Sequence, residues 1–400
     1  MLDAYIYNGL RTPFGRHAGK LAGIRPDDLL ATLIGELTST SGFPVDQIED
    51  VIIGCTNQAG EDSRNIARNA VLLAGLPATI PGQTVNRLCA SGLAAVLDAA
   101  RAVTAGEGAL YLAGGVEGMS RAPFVVAKAE SPYQREMKCF DSTMGARFPN
   151  LRIIQQYGAD SMPETGDNVA LELDISREDA DRFAAASQAN YERARAAGFF
   201  ADEIMSVQLP TKHKAPPQLF CGDEHPRPES NLVALTKLNP LFKGGVVTAG
   251  NASGINDGAA ALFVGSKGVG ERFGIKPLAR ILAGAAVGVE PRIMGVGPAF
   301  AIPKALARAG LTLADMNIIE INEAFASQVL GCLKHLKLDF DDPRVNPNGG
   351  AIAIGHPLGA SGARLAITGA RALHARGARY AVLSLCVGIG QGLAVVIERV

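Results

Sequence analysis

The chain repeats itself. Ser91-Gly92 and Arg101-Ala102 return as Ser361-Gly362 and Arg371-Ala372, each 270 positions later. At the same offset Ala109-Leu110-Tyr111-Leu112-Ala113-Gly114-Gly115 overlays Arg379-Tyr380-Ala381-Val382-Leu383-Ser384-Leu385. In each copy a Gly/Ala/Ser-rich helical stretch runs through a short turn into an apolar strand. Upstream, Ile48 to Gly54 and Asp315 to Glu320 read as a matching pair of strands. Continuous apolar strands between helices belong to sheets covered on both faces. A duplicated α/β core follows. At 400 residues the chain has the length for it, since single cores stop growing beyond about 250–300 residues.

The first copy is expected over 1–119, completed by about 246–270, and the second over 271–400. Residues 120–245 between them read differently. Charges are frequent there, and Pro210 to Pro228 is rich in proline, glycine and polar residues, as an extended loop should be. Within the insert, Ser176 is placed to cap a helix starting at Arg177, with Asp179 three residues on and Phe183, Ser187 and Tyr191 on one face. An insert that interrupts a symmetric core is a natural seat of substrate specificity.

The functions open to such a core are narrowed by charge and cysteine usage. A net charge of −1 without a basic run argues against nucleic acid or a membrane surface as main partner. An acidic ligand must then be met by local basic residues. Met1 to Tyr5 lacks the charged-then-apolar order of a signal peptide. No apolar run is expected to approach the roughly 18–20 residues of a bilayer span. Glu398-Arg399-Val400 carries no address signal. The expectation is a soluble cytoplasmic protein. Six cysteines with neither a C-x-x-C pair nor a Cys/His cluster argue against structural zinc and a disulfide framework, so no metal site is expected.

Four separated segments carry the chemistry. Cys89 precedes the small-residue run Ala90-Ser91-Gly92-Leu93-Ala94-Ala95-Val96. A thiol at a helix N-terminus meets the positive end of the dipole, which lowers its pKa from about 8.5; the alternative is an ordinary buried cysteine. His356 sits in Gly349-Gly350-Ala351-Ile352-Ala353-Ile354-Gly355-His356-Pro357. The glycines clear space and the proline stiffens the turn, so the imidazole can face a ligand and take the proton from Cys89; the alternative is a surface-loop histidine. Cys386 ends an apolar run and enters Gly388-Ile389-Gly390, where a thiol can act as acid and base beside free N–H groups. Asn322 follows Ile318-Ile319-Glu320-Ile321. It can hold a water or polarise a carbonyl, or equally cap a helix beginning near Glu323.

Assembled in this order, with Arg11-Thr12-Pro13-Phe14-Gly15, Gly114-Gly115-Val116-Glu117-Gly118-Met119-Ser120 and Thr248 to Ala260, the chain resembles a thiolase along essentially its whole length. The resemblance implies a five-layered αβαβα core of two related halves plus a loop domain, assembled as a homodimer or homotetramer. It implies that Cys89 accepts the acyl group, that His356 activates it, and that Cys386 moves the proton at the substrate α-carbon. It also implies two oxyanion holes. One comes from Asn322, through a water, with His356; the other comes from the N–H groups of Cys89 and Gly388. Coenzyme A or acetyl-CoA enters as substrate, with no tightly bound cofactor. Ser253, Phe242, Ala324 and Phe325 match positions along its pantetheine arm, Ala249, Gly254 and Met162 join them as contacts, and Arg227 matches one that meets the nucleotide phosphates.

Within the family, Ala4 to Arg16, Arg25-Pro26-Asp27-Asp28-Leu29 and Asp223-Glu224-His225-Pro226-Arg227-Pro228 are similar to the 3-oxoadipyl-CoA thiolases of aromatic catabolism. Ser161-Met162 stands where acetoacetyl-specific relatives usually have His-Met. A dicarboxylic substrate needs a cation, for which Arg135, Lys138, Arg147 and Arg152 are available in the insert. The rival readings are an acetyl-CoA C-acetyltransferase or general 3-ketoacyl-CoA thiolase, a decarboxylating condensing enzyme, and a non-catalytic acyl-CoA-binding protein. The second thiol, Cys386, disfavours the condensing enzymes, and the presence of Cys89, His356 and Cys386 together disfavours the binder.

Overall fold

The computed structural model describes residues 1–210 and 216–400; the 211–215 part of the expected extended loop lies outside them. Nine strands carry the core: β1 (Ala4–Arg11), β2 (Asp50–Gly54), β3 (Gly82–Val85), β4 (Leu110–Gly118), β5 (Asn256–Gly265), β6 (Ala279–Gly288), β7 (Ile318–Ile321), β8 (Tyr380–Val387) and β9 (Gln391–Arg399). They pair in the order β7-β8-β9-β6-β1-β5-β4-β2-β3, and the two-residue strand Gly15–Arg16 joins β5. The principal helices are α1 (Pro26–Thr40), α2 (Ile66–Leu73), α3 (Ser91–Ala105), α4 (Met162–Glu172), α5 (Arg177–Ala196), α6 (Gly297–Ala309), α7 (Ala326–Leu336) and α8 (Leu358–Ala375).

The duplication is visible strand by strand. β2 runs parallel to β4, Asp50 opposite Tyr111, and β7 runs parallel to β8, Ile318 opposite Ala381. β4–β5 and β8–β9 are the antiparallel counterparts. β3 has no full equivalent in the second half, where a single parallel bridge from Ile319 to Val345 takes its place. The halves meet at a short antiparallel seam, Ala4 to Ile6 of β1 against Ala279 to Ile281 of β6.

Alternation along each strand sends successive side chains to opposite faces, and both faces are covered. On the outer face of the first half, Leu30, Leu33, Leu37 and Val71 of α1 and α2 pack on Val51, Ile53, Leu112 and Phe263. On the outer face of the second, Ile302, Leu306, Val329 and Leu333 of α6 and α7 pack on Ile319, Val382 and Val396. Between them α3 and α8 bury Leu93, Val96, Leu365 and Ile367 against Ile52, Ala113, Leu262, Leu383 and Val395. Helix, sheet, helix pair, sheet, helix make the expected five layers.

Glycines let the two central helices touch backbone to backbone. A Cβ on Gly92 would lie 2.5 Å from the Gly359 carbonyl oxygen, and one on Gly362 would lie 2.2 Å from the Leu93 nitrogen. This approach brings the N-termini of α3 and α8 together, and with them the segments holding Cys89 and His356.

One expectation is overturned. Leu88–Ala105 is long and apolar enough to cross a bilayer. The segment also carries Asp98 and Arg101, and its apolar face, Leu93, Val96, Leu97 and Val103, is buried in the central cluster, so the helix is enclosed between sheets instead. In the insert, Ser176 Oγ accepts from the Asp179 N–H at 3.0 Å and caps α5. Ser187 and Tyr191 on the expected face reach Glu323 and Asp223 at 2.7 and 3.1 Å.

Candidate active site

The turn before α3 is fixed by short local bonds. Asn86 Oδ1 accepts from the Leu88 N–H at 2.9 Å, and Ser91 Oγ accepts from the Arg87 N–H at 2.9 Å while donating to the Leu88 carbonyl at 2.6 Å. Leu88 is held at φ +45°, a left-handed conformation uncommon for a leucine. Arg87 Nη1 reaches Gln391 Oε1 of β9 at 3.2 Å and ties the turn to the second half. Cys89 is half-buried, and the backbone N–H groups of Gly388 and of Cys89 itself favour its charged form.

Those donors do not lower the thiol below its ordinary range, as its place at a helix start led us to expect. Burial pushes it up to about 11, with the Glu117 carboxylate adding in the same direction. Removing a charge from water outweighs one helix end and two N–H groups here. At neutral pH the Cys89 side chain therefore rests as a thiol and not a thiolate.

His356 is its complement. The ring is buried, and burial, aided by the Arg364 cation, depresses its pKa to about 3. Its backbone N–H donates to Asn256 Oδ1 at 2.8 Å. Nδ1 lies 2.7 Å from Ser361 Oγ, whose hydroxyl donates to the Pro357 carbonyl at 2.9 Å. Having spent its proton, Ser361 accepts at Nδ1, so the imidazole carries its hydrogen there. Nε2 is then the lone-pair nitrogen, and the Asn322 amide donates towards it at 3.4 Å. The surface-loop alternative for His356 fails.

Asn322 does not cap a helix. α7 starts at Ala326 with Phe325 in the capping place and no side-chain cap bond. The amide is buried, its backbone N–H donates to the Ser384 carbonyl at 2.9 Å, and Oδ1 has no partner among the described residues. Cys386 is fully buried at the end of β8 and packs with Val247, Met294, Ala324 and Phe325. Burial and the neighbouring Cys89 raise its thiol well above the ordinary range. A Cβ on Gly388 would lie 3.2 Å from Leu88 and 3.9 Å from the Met162 sulfur, so this turn, the Cys89 turn and Met162 border one another.

The residues matched to coenzyme A divide into two groups. Ala324 and Phe325 pack beside Cys386, the Ser253 N–H donates to the Ala324 carbonyl at 2.9 Å and Ala252 bridges Phe325, while Gly254 abuts His225. Ala249, Phe242 and Arg227 are exposed, and none shares a hydrogen bond with Cys89, His356 or Cys386 among the described residues. Met162 is partly exposed at 38%.

Sequence reasoning missed the second ring of partners. Glu117 accepts from the N–H groups of Thr56, Asn57 and Gly359 at 2.9–3.1 Å, joining β2, β4 and α8, and burial raises its pKa to about 7. Glu323 accepts from Ser187, Asn346 and the Ile352 N–H at 2.7–3.0 Å. Both glutamates, Asn256 and Ser361 lie inside the motifs, but nothing in a motif separates such a tie from its neighbours. Cys55, Asp62 and Glu117 place donor atoms within 4.8 Å of one another. The Glu117 oxygens are already engaged by N–H donors, so this trio is not a prepared cation site.

A neutral thiol, a neutral imidazole with an open nitrogen, a second thiol and two convergent N–H groups form a constellation for acyl transfer. The family model for the thiolase N-terminal domain matches residues 4–268, and that for the C-terminal domain matches 275–399. The chain belongs to the thiolase family. Thiolases are acyltransferases, and curated relatives lie close to it. The beta-ketoadipyl-CoA thiolases of Escherichia coli and Pseudomonas putida are 54% and 53% identical, each over the full length of both chains. The crystal structure of Bacillus anthracis acetyl-CoA acetyltransferase superposes with a TM-score of 0.93 at 35% identity, and that of human mitochondrial 3-ketoacyl-CoA thiolase with 0.92 at 38%. Each covers 100% of this chain and 99% of its own.

Proposed function

We propose that this thiolase cleaves a 3-oxoacyl-CoA by ping-pong through an acyl-Cys89 thioester. The observation that carries the reading is the close approach of the two helix starts, Gly92 against Gly359 and Gly362 against Leu93, which brings the turn of the neutral Cys89 thiol to that of a His356 imidazole whose lone pair is at Nε2. His356 takes the thiol proton as sulfur attacks the 3-oxo carbon, and the Gly388 and Cys89 N–H groups receive the developing oxyanion. The C2–C3 bond breaks, and Cys386 gives its proton to C2 of the departing acetyl-CoA enolate. Free CoA then passes its thiol proton to the Cys386 thiolate and attacks the thioester. Cys89 leaves as thiolate and recovers its proton from His356. Asn322, with its unpartnered Oδ1, holds the water that completes the enolate oxyanion site. Replacing Cys89 by alanine abolishes thiolysis; substantial turnover by that variant excludes the mechanism.

For the acyl chain we infer 3-oxoadipyl-CoA, cleaved to succinyl-CoA and acetyl-CoA. The full-length similarity to beta-ketoadipyl-CoA thiolases supports it. So does Arg147, the half-buried member of the four insert cations. Its Nη1 and Nη2 are pinned on the Asn57 side chain and carbonyl at 2.8 and 2.6 Å, in the turn after β2 whose Asn57 N–H donates to Glu117. Arg135, Lys138 and Arg152 are exposed. A fixed cation for the far carboxylate contributes about 1.4 kcal/mol or more, a tenfold preference. Comparing kcat/KM for 3-oxoadipyl-CoA and acetoacetyl-CoA decides the matter, and Arg147→Gln is expected to lower only the first. Equal or better use of acetoacetyl-CoA makes this an acetyl-CoA C-acetyltransferase instead. Arg227 and Phe242 serve the CoA moiety from the insert surface. The unpaired outer edge of β3 suits a homodimer, since an open strand edge invites pairing with a second copy.

A further inference from the structure

One layer beneath His356 lies a buried charge pair that the chemistry above does not use. Arg364 and Glu320 have side chains 0% and 1% exposed, with Nη1 and Oε2 3.9 Å apart. Among the described residues, none of the three Arg364 nitrogens and neither Glu320 oxygen has a hydrogen-bond partner. As a stabilising device this is poor. Burial raises the Glu320 carboxyl to about 7 and lowers the Arg364 guanidinium, and two desolvated groups without hydrogen bonds gain less than well-packed apolar side chains of the same volume.

Their places in the fold are informative. Ser361, which holds His356 Nδ1, is on α8, and Arg364 follows one turn later on the same helix. Asn322, which faces His356 Nε2, comes just after β7, and Glu320 stands two residues before it, on the same face of the strand. Ile318, on that face too, belongs to the central cluster around α3 and α8, whereas Ile319 and Ile321 belong to the outer one. The charge pair therefore joins the same two elements as Ser361–His356–Asn322, in the layer below.

We propose that Arg364 and Glu320 are positioning residues for His356: the pair sits between the two elements that carry Ser361 and Asn322, the partners of the ring nitrogens, and its cation opposes a second positive charge on the imidazole between turnovers. The proposal rests on His356 being the base. The other charged groups about the pair are already committed. Arg11 and Glu203 bind each other at 2.7 Å, and Glu323 is held by Ser187, Asn346 and Ile352. Arg376 acts on Glu320 from the end of α8. On the ligand side lie the thiols of Cys89 and Cys386, with Glu117 held by Thr56, Asn57 and Gly359. Of all these charges, Arg364 is the one that bears on His356.

The test is acid titration of the His356 ring by nitrogen-15 NMR in the full-length protein, with thermal unfolding as the folding control. In the wild type the ring stays neutral to the acid limit of folding. Arg364→Met combined with Glu320→Gln keeps volume and removes both charges. Its His356 should gain at least tenfold in proton affinity, and the acid limb of the kcat/KM profile should move to higher pH with it. Arg364→Lys, which retains the cation, should titrate near the wild type. A folded double variant whose His356 titrates as in the wild type overturns the proposal. Glu320→Gln alone leaves the cation unopposed and should not raise the proton affinity; a rise overturns it independently. Because the titration is read without turnover, an active His356→Ala variant would refute the base assignment while leaving this result intact.

Discussion

At Cys89 two influences of opposite sign meet. The start of α3 and two N–H donors favour thiolate, an effect of about 0.3–1 kcal/mol for a helix end. Burial opposes them, and the resulting rise to about 11 corresponds to roughly 3 kcal/mol in favour of the thiol. Desolvation wins. Site-resolved alkylation of Cys89 by iodoacetamide, followed by mass spectrometry, should therefore keep accelerating through pH 9 without a plateau. A plateau near neutral pH would mean a pre-formed thiolate and a different first step. At His356 the sign reverses. A pKa depressed from 6.5 to about 3 means the folded state binds the proton less well than the unfolded chain. The associated stability is present above 6.5 and is lost as pH falls towards 3. By pH 4.5 the loss is about 2–3 kcal/mol at 1.36 kcal/mol per pH unit. Unfolding of wild type and His356→Gln between pH 7 and 4.5 should show the wild type losing that much more than the variant. Parallel pH dependence would refute a buried neutral imidazole. The reactive side chains were legible in sequence because each stands among glycines and small residues, where little else explains a thiol or an imidazole. Their ionisation was not, because it depends on how much water the other half of the chain excludes.

Elements convert the repeat into a site. Ser91-Gly92 and Ser361-Gly362 are the same step of the duplicated helix, and the structure brings those two steps face to face. Each glycine thus serves the other copy's helix, with Gly362 against Leu93 and Gly92 against Gly359. The repeat at 270 positions announces two equivalent helices and is silent on their contact, because that contact lies between copies and not within one. A methyl group at Gly362 meets backbone, which cannot rotate aside. Gly362→Ala should cost about 1–3 kcal/mol or more through forced separation of α3 and α8, seen as a lowered Tm. It should also lower kcat disproportionately, since Cys89 and His356 sit at the parting ends. Gly377→Ala controls for a general glycine effect: its Cβ would meet nothing within 4 Å, and its φ of +59° carries only local strain.

Across the whole molecule, one buried cation helps fasten the insert to the symmetric core. Arg11 of β1 places Nε 2.7 Å from Glu203 and Nη1 2.6 Å from Asp223, both contributed by the insert. Tyr191 and the Phe14 N–H also donate to Asp223, at 3.1 and 2.8 Å, and Thr368 of α8 donates to Glu203 at 3.1 Å. The guanidinium lies over the rings of Phe14 and Phe200 at 5.1 and 5.6 Å. Arg11-Thr12-Pro13-Phe14-Gly15 was recognisable as a motif, yet its partners lie some 190 and 210 positions away in a segment whose composition reads simply as polar loop. Unlike the Arg364–Glu320 pair, this cluster is hydrogen-bonded throughout, so its loss should register as stability and not as a shift in the site's acid–base behaviour. Arg11→Met strands two buried carboxylates, at a cost of about 3–5 kcal/mol. The strain should be shed locally before the core opens, because α1–α3 and α6–α8 keep their packing. Hydrogen exchange over 198–210 and 218–228 should accelerate while β5 and β8 remain protected. KM for CoA should rise, because Arg227 lies on the released stretch, four residues beyond Asp223. Uniform acceleration across insert and core would instead mean that Arg11 stabilises the fold as one cooperative unit, with no separable insert.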